Sequence, residues 1–571
     1  MKHLKKIHPA VYAEFGLIIA LSLFWGWRLH YGASDIYSVS DESFYLSLPY
    51  RLIQGDCLFL DETNTAQMFA FLVYPILWVW LRLHNGITEG IMLSFRFLWL
   101  IAHLAVSAGI FGICARRKHW ISGCVASCVY AASLPFLIAA FSYNTIALGC
   151  ATLLAVVLYF DIRTSLSELL TGFLIAFIVL CNPYAIPLYL FVLFVLIRKQ
   201  KKEKRPLPGM VIRTHAGIVL LLALFLLHLV RHASARGIGF SDFISIIRSL
   251  LANDNAHSYE SILLFVQDKL AAVPVFLSQS YKLIALALAA AILLVLLRRK
   301  HKTLLFCLVA AAAAIISLYF SFVRMDHLIL MFSMVIGFCL WVCNPPALHG
   351  KSGAFCFSLL FAICVHLASN NGILAIAWAC VPGGVISWIA VEDFLSDESE
   401  DHRHPAFLEG FSLVCAAVIF MSVLNMDVRY VFHDERIPNL TSVCTDGPMA
   451  GIYTTAERWE KYTEAYSDIK GIKLQKDDRL LLYNTMPIDL LSFRREVCSP
   501  STWSLRKSFA GYYCTPQSQR YYETHPDKLP NVLIVNRHSL WDGLSEEDYA
   551  LIAAEGFTAE SSGSCCQVFR R

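Results

Sequence analysis

Long apolar runs recur through the first three quarters of the chain. Runs of about 17–25 apolar residues can cross the hydrocarbon core of a bilayer as helices. Hydrophobic residues make up 57% of the 571 positions and charged residues only 16%, against roughly 25% charged residues in soluble domains. Such a chain cannot cover its apolar surface with charge. The composition therefore excludes a soluble enzyme, a disordered protein and a nucleic-acid-binding protein, and predicts a polytopic α-helical membrane protein.

About thirteen spanning helices are predicted from these runs. Lys and Arg cluster in alternate short loops, at 116–118, 198–205 and 298–300, and the positive-inside rule assigns such loops to the cytoplasm. The N-terminus is then cytoplasmic, the C-terminus lies outside, and a bacterial plasma membrane is the expected location. The predicted spans are 11–31, 93–114, 120–141, 145–160, 166–182, 185–198, 211–231, 276–297, 303–322, 327–343, 354–370, 373–391 and 407–426.

The regions outside the membrane are also predicted by this topology. A membrane domain covers 1–426, with a first outer loop at 32–92 and a second at 232–275. Residues 67–84 are apolar enough to cross, but counting them would move the basic cluster at 116–118 to the outside. They are predicted to form a helix in the outer interface, a level that suits their Trp and Arg side chains.

The tail, 427–571, is predicted to be a small extracytoplasmic α/β domain. Strand-like apolar runs lie at 480–483 and 532–535, and helical patterns at 456–469 and 546–555. Six cysteines are predicted on the outer side, where an oxidising compartment would allow disulfides. The sequence leaves their pairing open. They are Cys57, Cys444, Cys498, Cys514, Cys565 and Cys566.

An acidic pair, Asp41-Glu42, follows the first predicted span by about ten residues. It opens an amphipathic helical pattern that contains Tyr45 and ends at Gly55. Carboxylates at a membrane surface can bind a divalent metal or take a proton from an attacking hydroxyl. Most acidic pairs in loops are simply solvated surface residues. Whether this pair is functional therefore has to be judged from the residues around it.

That pattern resembles the GT-C superfamily of membrane glycosyltransferases, in particular the branch of protein O-mannosyltransferases and lipid A aminoarabinose transferases. Each motif is loose, but together and in order they cover almost the whole chain. The motifs are Asp41-Glu42, the helix with Tyr45 and its Gly55 turn, the interfacial helix at 67–84, Arg96 at the start of the second span, Ala115-Arg116-Arg117 at its end, and tail segments 478–483 and 530–535 that are similar to those of bacterial members.

The resemblance implies an inverting transfer of a sugar from a polyprenyl-phosphate carrier to a glycan, lipid or protein acceptor on the outer face. Asp41 would be the catalytic base or would orient the acceptor, with Glu42 as its partner or as a charge at the helix N-terminus. Arg324, in a short outer turn, would bind the phosphate; its structural alternatives are snorkelling to the membrane surface or pairing with Asp326. His327 would either assist it or simply start the next helix. Arg96 is a further candidate for the phosphate, and pairing with Glu89 is its structural alternative.

Some residues depart from the family pattern. Gln67-Met68 stands where relatives carry prolines, and Glu62 is an unaligned substitute for an acidic residue of some relatives. Asn144 stands where many relatives have Asp; its amide can hydrogen-bond a sugar or phosphate but cannot act as a base. The sequence leaves open the sugar, the acceptor and the use of a divalent metal such as Mg or Mn.

Two other functions stay open. A flippase or transporter of lipid-linked sugars would show internal repeats and interrupted helices in both halves, and neither is evident. A family member that binds a lipid-linked sugar without transferring it is compatible with Asn144 and the missing prolines. An O-antigen ligase or polymerase is disfavoured, because its site is expected in a large central outer loop.

Overall fold

A computed structural model describes residues 8–32, 41–64, 66–253, 262–279, 302–323, 328–343, 346–369, 376–396, 405–429, 431, 434–493, 495–503, 509–537 and 544–571. Helices make up most of these residues. Up to residue 429 they are α1 Pro9–Arg28, α2 Asp41–Gln54, α3 Ala70–Leu83, α4 Ile91–Arg116, α5 Trp120–Ala131, α6 Tyr143–Tyr159, α7 Ser165–Cys181, α8 Ile186–Lys202, α9 Leu207–Ala235, α10 Phe240–Asn253, α11 Ile262–Gln279, α12 Lys302–Val323, α13 Leu328–Cys343, α14 Ser352–Ala368, α15 Ile376–Ala379, α16 Val381–Leu395 and α17 Pro405–Arg429.

The polytopic helical fold is confirmed. Among the described residues, seven helices are long and apolar enough to cross a membrane, and shorter apolar helices accompany them. Twelve of the thirteen predicted spans overlap described helices over more than half of their length. Only the first four residues of the remaining span, 276–297, are described, at the end of α11.

One predicted span is shorter than expected. The run at 120–141 is helical only from Trp120 to Ala131. A short 3-10 turn at Pro135–Leu137 follows, and Phe136 has a φ of 54°. Proline removes a backbone donor and this turn lies outside helical φ/ψ space, so an apolar composition alone overstated the length of the helix.

The segment predicted as the first outer loop forms two helices, α2 and α3, that pack against each other. The acidic pair opens α2 as predicted, and Gly55 follows that helix with a φ of +119°, which favours glycine. The predicted interfacial helix is α3. It buries Ala70, Val73, Leu77 and Trp80 at helical spacing.

Close backbone contact joins α7 to α9. A Cβ at Gly172 would overlap the carbonyl oxygen of Thr214, and a Cβ at Gly217 would overlap that of Leu169. Small residues at a crossing let two membrane helices approach more closely than larger side chains allow. The glycines therefore set the spacing of this helix pair.

The tail is an α/β unit, as expected. Its longer helices include α18 Ala456–Gly471 and α22 Glu546–Ala554, and between them lie α19 Pro487–Leu490, α20 Phe509–Tyr513 and α21 Pro516–Thr524. Short strands β1 Ser442–Val443 and β2 Tyr453–Thr454 pair with each other. The main sheet contains β3 Leu480–Tyr483, β4 Val532–Asn536, β5 Thr558–Ser562 and β6 Cys566–Arg570, in the order β3-β4-β6-β5.

The two predicted strands are neighbours on one side of the main sheet, with β3 at its edge. β3 and β4 are parallel, with Leu480 opposite Val532, and every residue of both is buried. Parallel strands covered on both faces carry continuous apolar runs, which explains why the sequence shows them clearly. All eighteen cysteines fall among the described residues and are free thiols.

Candidate functional site

Asp41 is the first residue of α2, and its side chain is partly exposed. Tyr45 lies one turn later on the same face and donates a hydrogen bond from its hydroxyl to Asp41 Oδ2 at 3.2 Å. Burial, and then the charge of Asp41, raise the pKa of Tyr45 well above its usual range. The phenol therefore stays protonated and holds the carboxylate in place.

The start of α6 meets this pair. Ser142 caps α6, accepting from the Thr145 N–H at 3.1 Å. This places the Tyr143 ring edge-on to the Tyr45 ring, with centroids 5.5 Å apart. Asn144, predicted from the sequence as a site residue, directly follows Tyr143 in the first turn of α6. The structure thus brings the first turn of α6 next to the pair formed by Asp41 and Tyr45.

Glu42 lies in a different environment from its neighbour. Its two carboxylate oxygens accept from Arg96 Nε at 2.5 Å and Arg96 Nη2 at 2.7 Å, and both side chains are about 6% exposed. Arg96 also donates to the carbonyl oxygens of Leu29 and Gly32, each at 2.7 Å. The alternative pairing of Arg96 with Glu89 is therefore wrong, since Glu42 is its acidic partner.

This bidentate pair joins three segments of the chain. Charge-assisted bidentate bonds are strong and geometrically specific, and here they connect the end of α1, the first turn of α2 and the first turns of α4. Two small pockets lie beside the pair. The smaller one is lined by Glu42, Tyr45, Leu46, Val73, Met92, Phe95, Arg96 and residues 139–141.

Glu62 lies in the junction between the first outer loop and the tail. Its Oε2 accepts from the Thr502 N–H at 2.7 Å and from Thr502 Oγ1 at 2.5 Å. Its Oε1 accepts from the Asn64 N–H at 2.9 Å and from Ser501 Oγ at 3.1 Å. With a side chain only 2% exposed, Glu62 has the surroundings of a structural residue.

Further buried charges continue this junction. Arg51 Nε contacts Asp56 Oδ2 at 2.6 Å, and Lys528 of the tail contacts Asp56 Oδ1 at 2.6 Å. Asp61 is paired with Arg236, at the end of α9. We call these five residues, with Glu62, the loop–tail network. Burial alone would raise the pKa of Asp56, but the charges of Arg51 and Lys528 outweigh it and hold that pKa below its usual range.

A pair of histidines that was not predicted as a site from the sequence lies between α3 and α9. His228 and His232 lie one turn apart, with ring centroids 4.5 Å apart, and Tyr74 packs on His228 at 5.6 Å. The Nε2 atom of His228 is buried and has no hydrogen-bond partner among the described residues. The sequence does contain a signal for this pair, namely two histidines four positions apart at the end of the predicted span 211–231.

The predicted phosphate-binding residues Arg324 and His327 lie outside the described residues.

Metal ligation was left open by the sequence. In the part of the chain that the structure describes, no group of three or more His, Cys, Asp or Glu side chains is arranged to hold a metal ion. Arg96 occupies both oxygens of Glu42, so Asp41 and Glu42 do not present a shared carboxylate pair to a divalent ion. We therefore derive no chemical step through a metal.

The fold and site define a polytopic helical membrane protein with a C-terminal α/β domain and a carboxylate site at the start of its first long loop. No protein-family model matches the sequence, and no curated protein matches it. Among solved structures, the chain is similar to ArnT from Cupriavidus metallidurans in the apo state, with a TM-score of 0.45, 10% sequence identity and coverage of 98% of each chain. A likeness of this size does not assign a family.

Proposed function

We propose that the protein is an inverting membrane glycosyltransferase that moves a sugar from a polyprenyl-phosphate donor to an acceptor hydroxyl at the outer surface. The observation that carries this proposal is the partly exposed carboxylate of Asp41, which Tyr45 holds beside a buried ion pair. A fixed carboxylate at the edge of an apolar bundle suits a donor whose lipid lies in the membrane and whose phosphosugar lies at its surface.

In the proposed reaction Asp41 accepts the proton of the acceptor hydroxyl as that oxygen attacks the anomeric carbon. The new glycosidic C–O bond forms while the bond between the anomeric carbon and the phosphate oxygen breaks. The lipid phosphate leaves with the electron pair of the broken bond. Attack opposite the leaving group inverts the anomeric centre.

The neighbouring residues have different proposed roles. Glu42 is proposed to position α2 through Arg96, because both of its oxygens are bound by that guanidinium. Arg96 then acts through Glu42 rather than on phosphate, and Glu62 belongs to the loop–tail network. Asn144 is proposed to hydrogen-bond the sugar or the phosphate.

A cation is still required for the leaving phosphate. Arg324 and His327 remain the proposed phosphate contacts, on the sequence pattern alone. A guanidinium binds phosphate oxygens with charge-assisted hydrogen bonds that strengthen as negative charge develops on the leaving group.

The test is sugar transfer from radiolabelled polyprenyl-phosphate donors in right-side-out and inverted vesicles, comparing the wild type with Asp41→Asn. We expect transfer to require an accessible outer face and to fall by about 10²-fold or more in the variant, as for loss of a general base. Asp527→Asn is the matched control, because Asp527 is exposed in the tail, and its activity should equal that of the wild type.

Three results would contradict the proposal. Undiminished transfer by Asp41→Asn would remove Asp41 from catalysis. Movement of intact donor between leaflets would identify a flippase. Donor that is bound by both proteins and consumed by neither would identify a binding protein.

A further inference from the structure

A further cavity lies at the other end of the bundle from the Asp41 site. It has a volume of about 190 Å³ and lies between α5, α16 and α17, and we call it the α5–α16–α17 cavity. The basic cluster at 116–118 directly precedes α5, so the predicted topology places this end at the cytoplasmic surface. The lining residues are Ile121, Ser122, Val125, Trp388, Val391, Glu392, Leu395, Ser396, Glu409, Ser412 and Leu413.

Two buried hydrogen-bond donors of this cavity have no partner. Ser122 is 5% exposed and Trp388 is 3% exposed, yet neither Ser122 Oγ nor Trp388 Nε1 finds a partner among the described residues. Burying a polar group without a partner costs about 1–3 kcal/mol, and native proteins pair most such groups. Both donors line this cavity, so a ligand that supplies acceptors would satisfy them.

Two carboxylates line the same cavity. Glu392 accepts from the Ser122 N–H at 2.9 Å, and Glu409 is exposed on α17. They would repel a ligand that is purely anionic and attract an ammonium group. Together, unpaired donors and carboxylates fit a ligand that carries both an anionic oxygen group and an amine.

The rim of the cavity indicates where such a ligand comes from. Ile121 and Leu413 are each 40% exposed, and both lie on helices of the apolar bundle. An exposed apolar rim at a membrane surface suits a molecule with acyl chains better than one dissolved in water.

We propose that the α5–α16–α17 cavity binds the headgroup of an aminophospholipid, with its ammonium group at Glu392 and Glu409 and its phosphate at Ser122 Oγ and Trp388 Nε1. This inference does not depend on the proposed sugar transfer. A primary ammonium donates up to three hydrogen bonds to carboxylates. The trimethylammonium of phosphatidylcholine donates none, and phosphatidylglycerol has no amine.

The test uses the purified full-length chain and native mass spectrometry with phosphatidylethanolamine, phosphatidylcholine and phosphatidylglycerol of identical acyl chains. We expect the wild type to retain phosphatidylethanolamine about tenfold more tightly than either of the others, equivalent to about 1.4 kcal/mol. Glu409→Gln should remove most of this preference. Trp388→Phe should weaken binding about threefold, since one neutral hydrogen bond is lost.

Matched controls come from the tail. Glu460→Gln and Trp459→Phe alter exposed residues of α18 and should leave the lipid preference unchanged. Equal retention of all three lipids by the wild type would overturn the proposal, as would a preference that survives in both cavity variants. Soluble phosphoethanolamine binding as tightly as the lipid would overturn the assignment to a lipid in favour of a free phosphorylated amine.

Discussion

At the scale of single residues, two adjacent carboxylates lie in opposite environments. Successive residues of a helix point in different directions, so Asp41 stays partly exposed beside Tyr45 while Glu42 turns inward to Arg96. The acidic pair was predictable from the sequence. Its division into one proposed catalytic residue and one buried ion pair was not, because Arg96 lies more than fifty positions away from Glu42.

The first residue-scale prediction concerns Tyr45→Phe. The ring and its packing remain, but the hydrogen bond that holds Asp41 is lost. We expect kcat for sugar transfer to fall about tenfold, less than in Asp41→Asn, because a hydrogen bond to a charged group contributes about 1.5 kcal/mol or more and the base itself survives. KM for the donor should change little. Steady-state kinetics would measure both, with Tyr549→Phe, on the exposed face of the tail, as the control; an unaltered kcat would contradict the role of Tyr45.

A second prediction concerns Asp489, the third residue of the short helix α19. Burial raises its pKa to about 6, although the Met486 N–H donates to its carboxylate at 3.0 Å. The folded state thus favours the protonated form. The stability that Asp489 contributes is fully present below about pH 4 and is lost as the pH rises through about 6.

Asp489→Asn should remove this dependence, since the amide keeps an acceptor and carries no charge. We expect the variant to be more stable than the wild type at pH 7.5 by on the order of 1–3 kcal/mol, and to lose most of that advantage at pH 4. Thermal unfolding of the full-length chain at the two pH values measures the difference. The exposed Asp527→Asn should follow the wild type, and a pH-independent offset would contradict the prediction.

At the scale of helices and strands, hydropathy located most elements but not all of their ends. Apolar runs predicted the spans, whose hydropathy is high over most of their length, and the parallel strands β3 and β4, all of whose residues are buried. The hairpin β5–β6 was not predicted, because Thr558–Ser562 is an edge strand of mainly polar residues, all of them exposed. The end of α5 at residue 131 was not predicted either, because the apolar run continues after the helix has ended.

The α7–α9 crossing gives a prediction at this scale. Gly172→Ala adds a methyl group where the Thr214 carbonyl already lies, so the helices must move apart, at a cost of about 1–3 kcal/mol. Gly16→Ala is the matched control, because nothing lies within 4 Å of its added Cβ and alanine favours a helix over glycine. Thermal denaturation in detergent should show a lower Tm for the first variant and an equal or higher Tm for the second. Equal changes in both would contradict close packing at Gly172.

At the scale of the whole molecule, the loop–tail network joins the first outer loop, the end of α9 and the tail. Lys528 is 2% exposed and contacts Asp56 at 2.6 Å, a residue more than 470 positions earlier. No local pattern in the sequence marks such a pair. This is why Glu62 was predicted as a site residue, whereas its nearest partners lie in the tail.

Lys528→Met tests how much the loop–tail network stabilises the fold. Removing one member of a buried ion pair leaves an uncompensated charge and costs about 3–5 kcal/mol. We expect a lower Tm and faster trypsin cleavage between the membrane domain and the tail. Lys461→Met, which removes an exposed i,i+4 pair with Glu457, should cost less than about 1 kcal/mol. Equal protease sensitivity of the two variants would contradict a stabilising role for the network.

The position of Lys528 near the end of the chain also bears on how the protein is made. Synthesis begins at the N-terminus, so Asp56 and its near neighbour Arg51 leave the ribosome long before Lys528 does. Until the tail docks, Asp56 has Arg51 beside it but lacks its second cationic partner. A chain truncated before Lys528 is therefore expected to lack this contact, so the segment around Asp56 completes its folding only after most of the tail has been made.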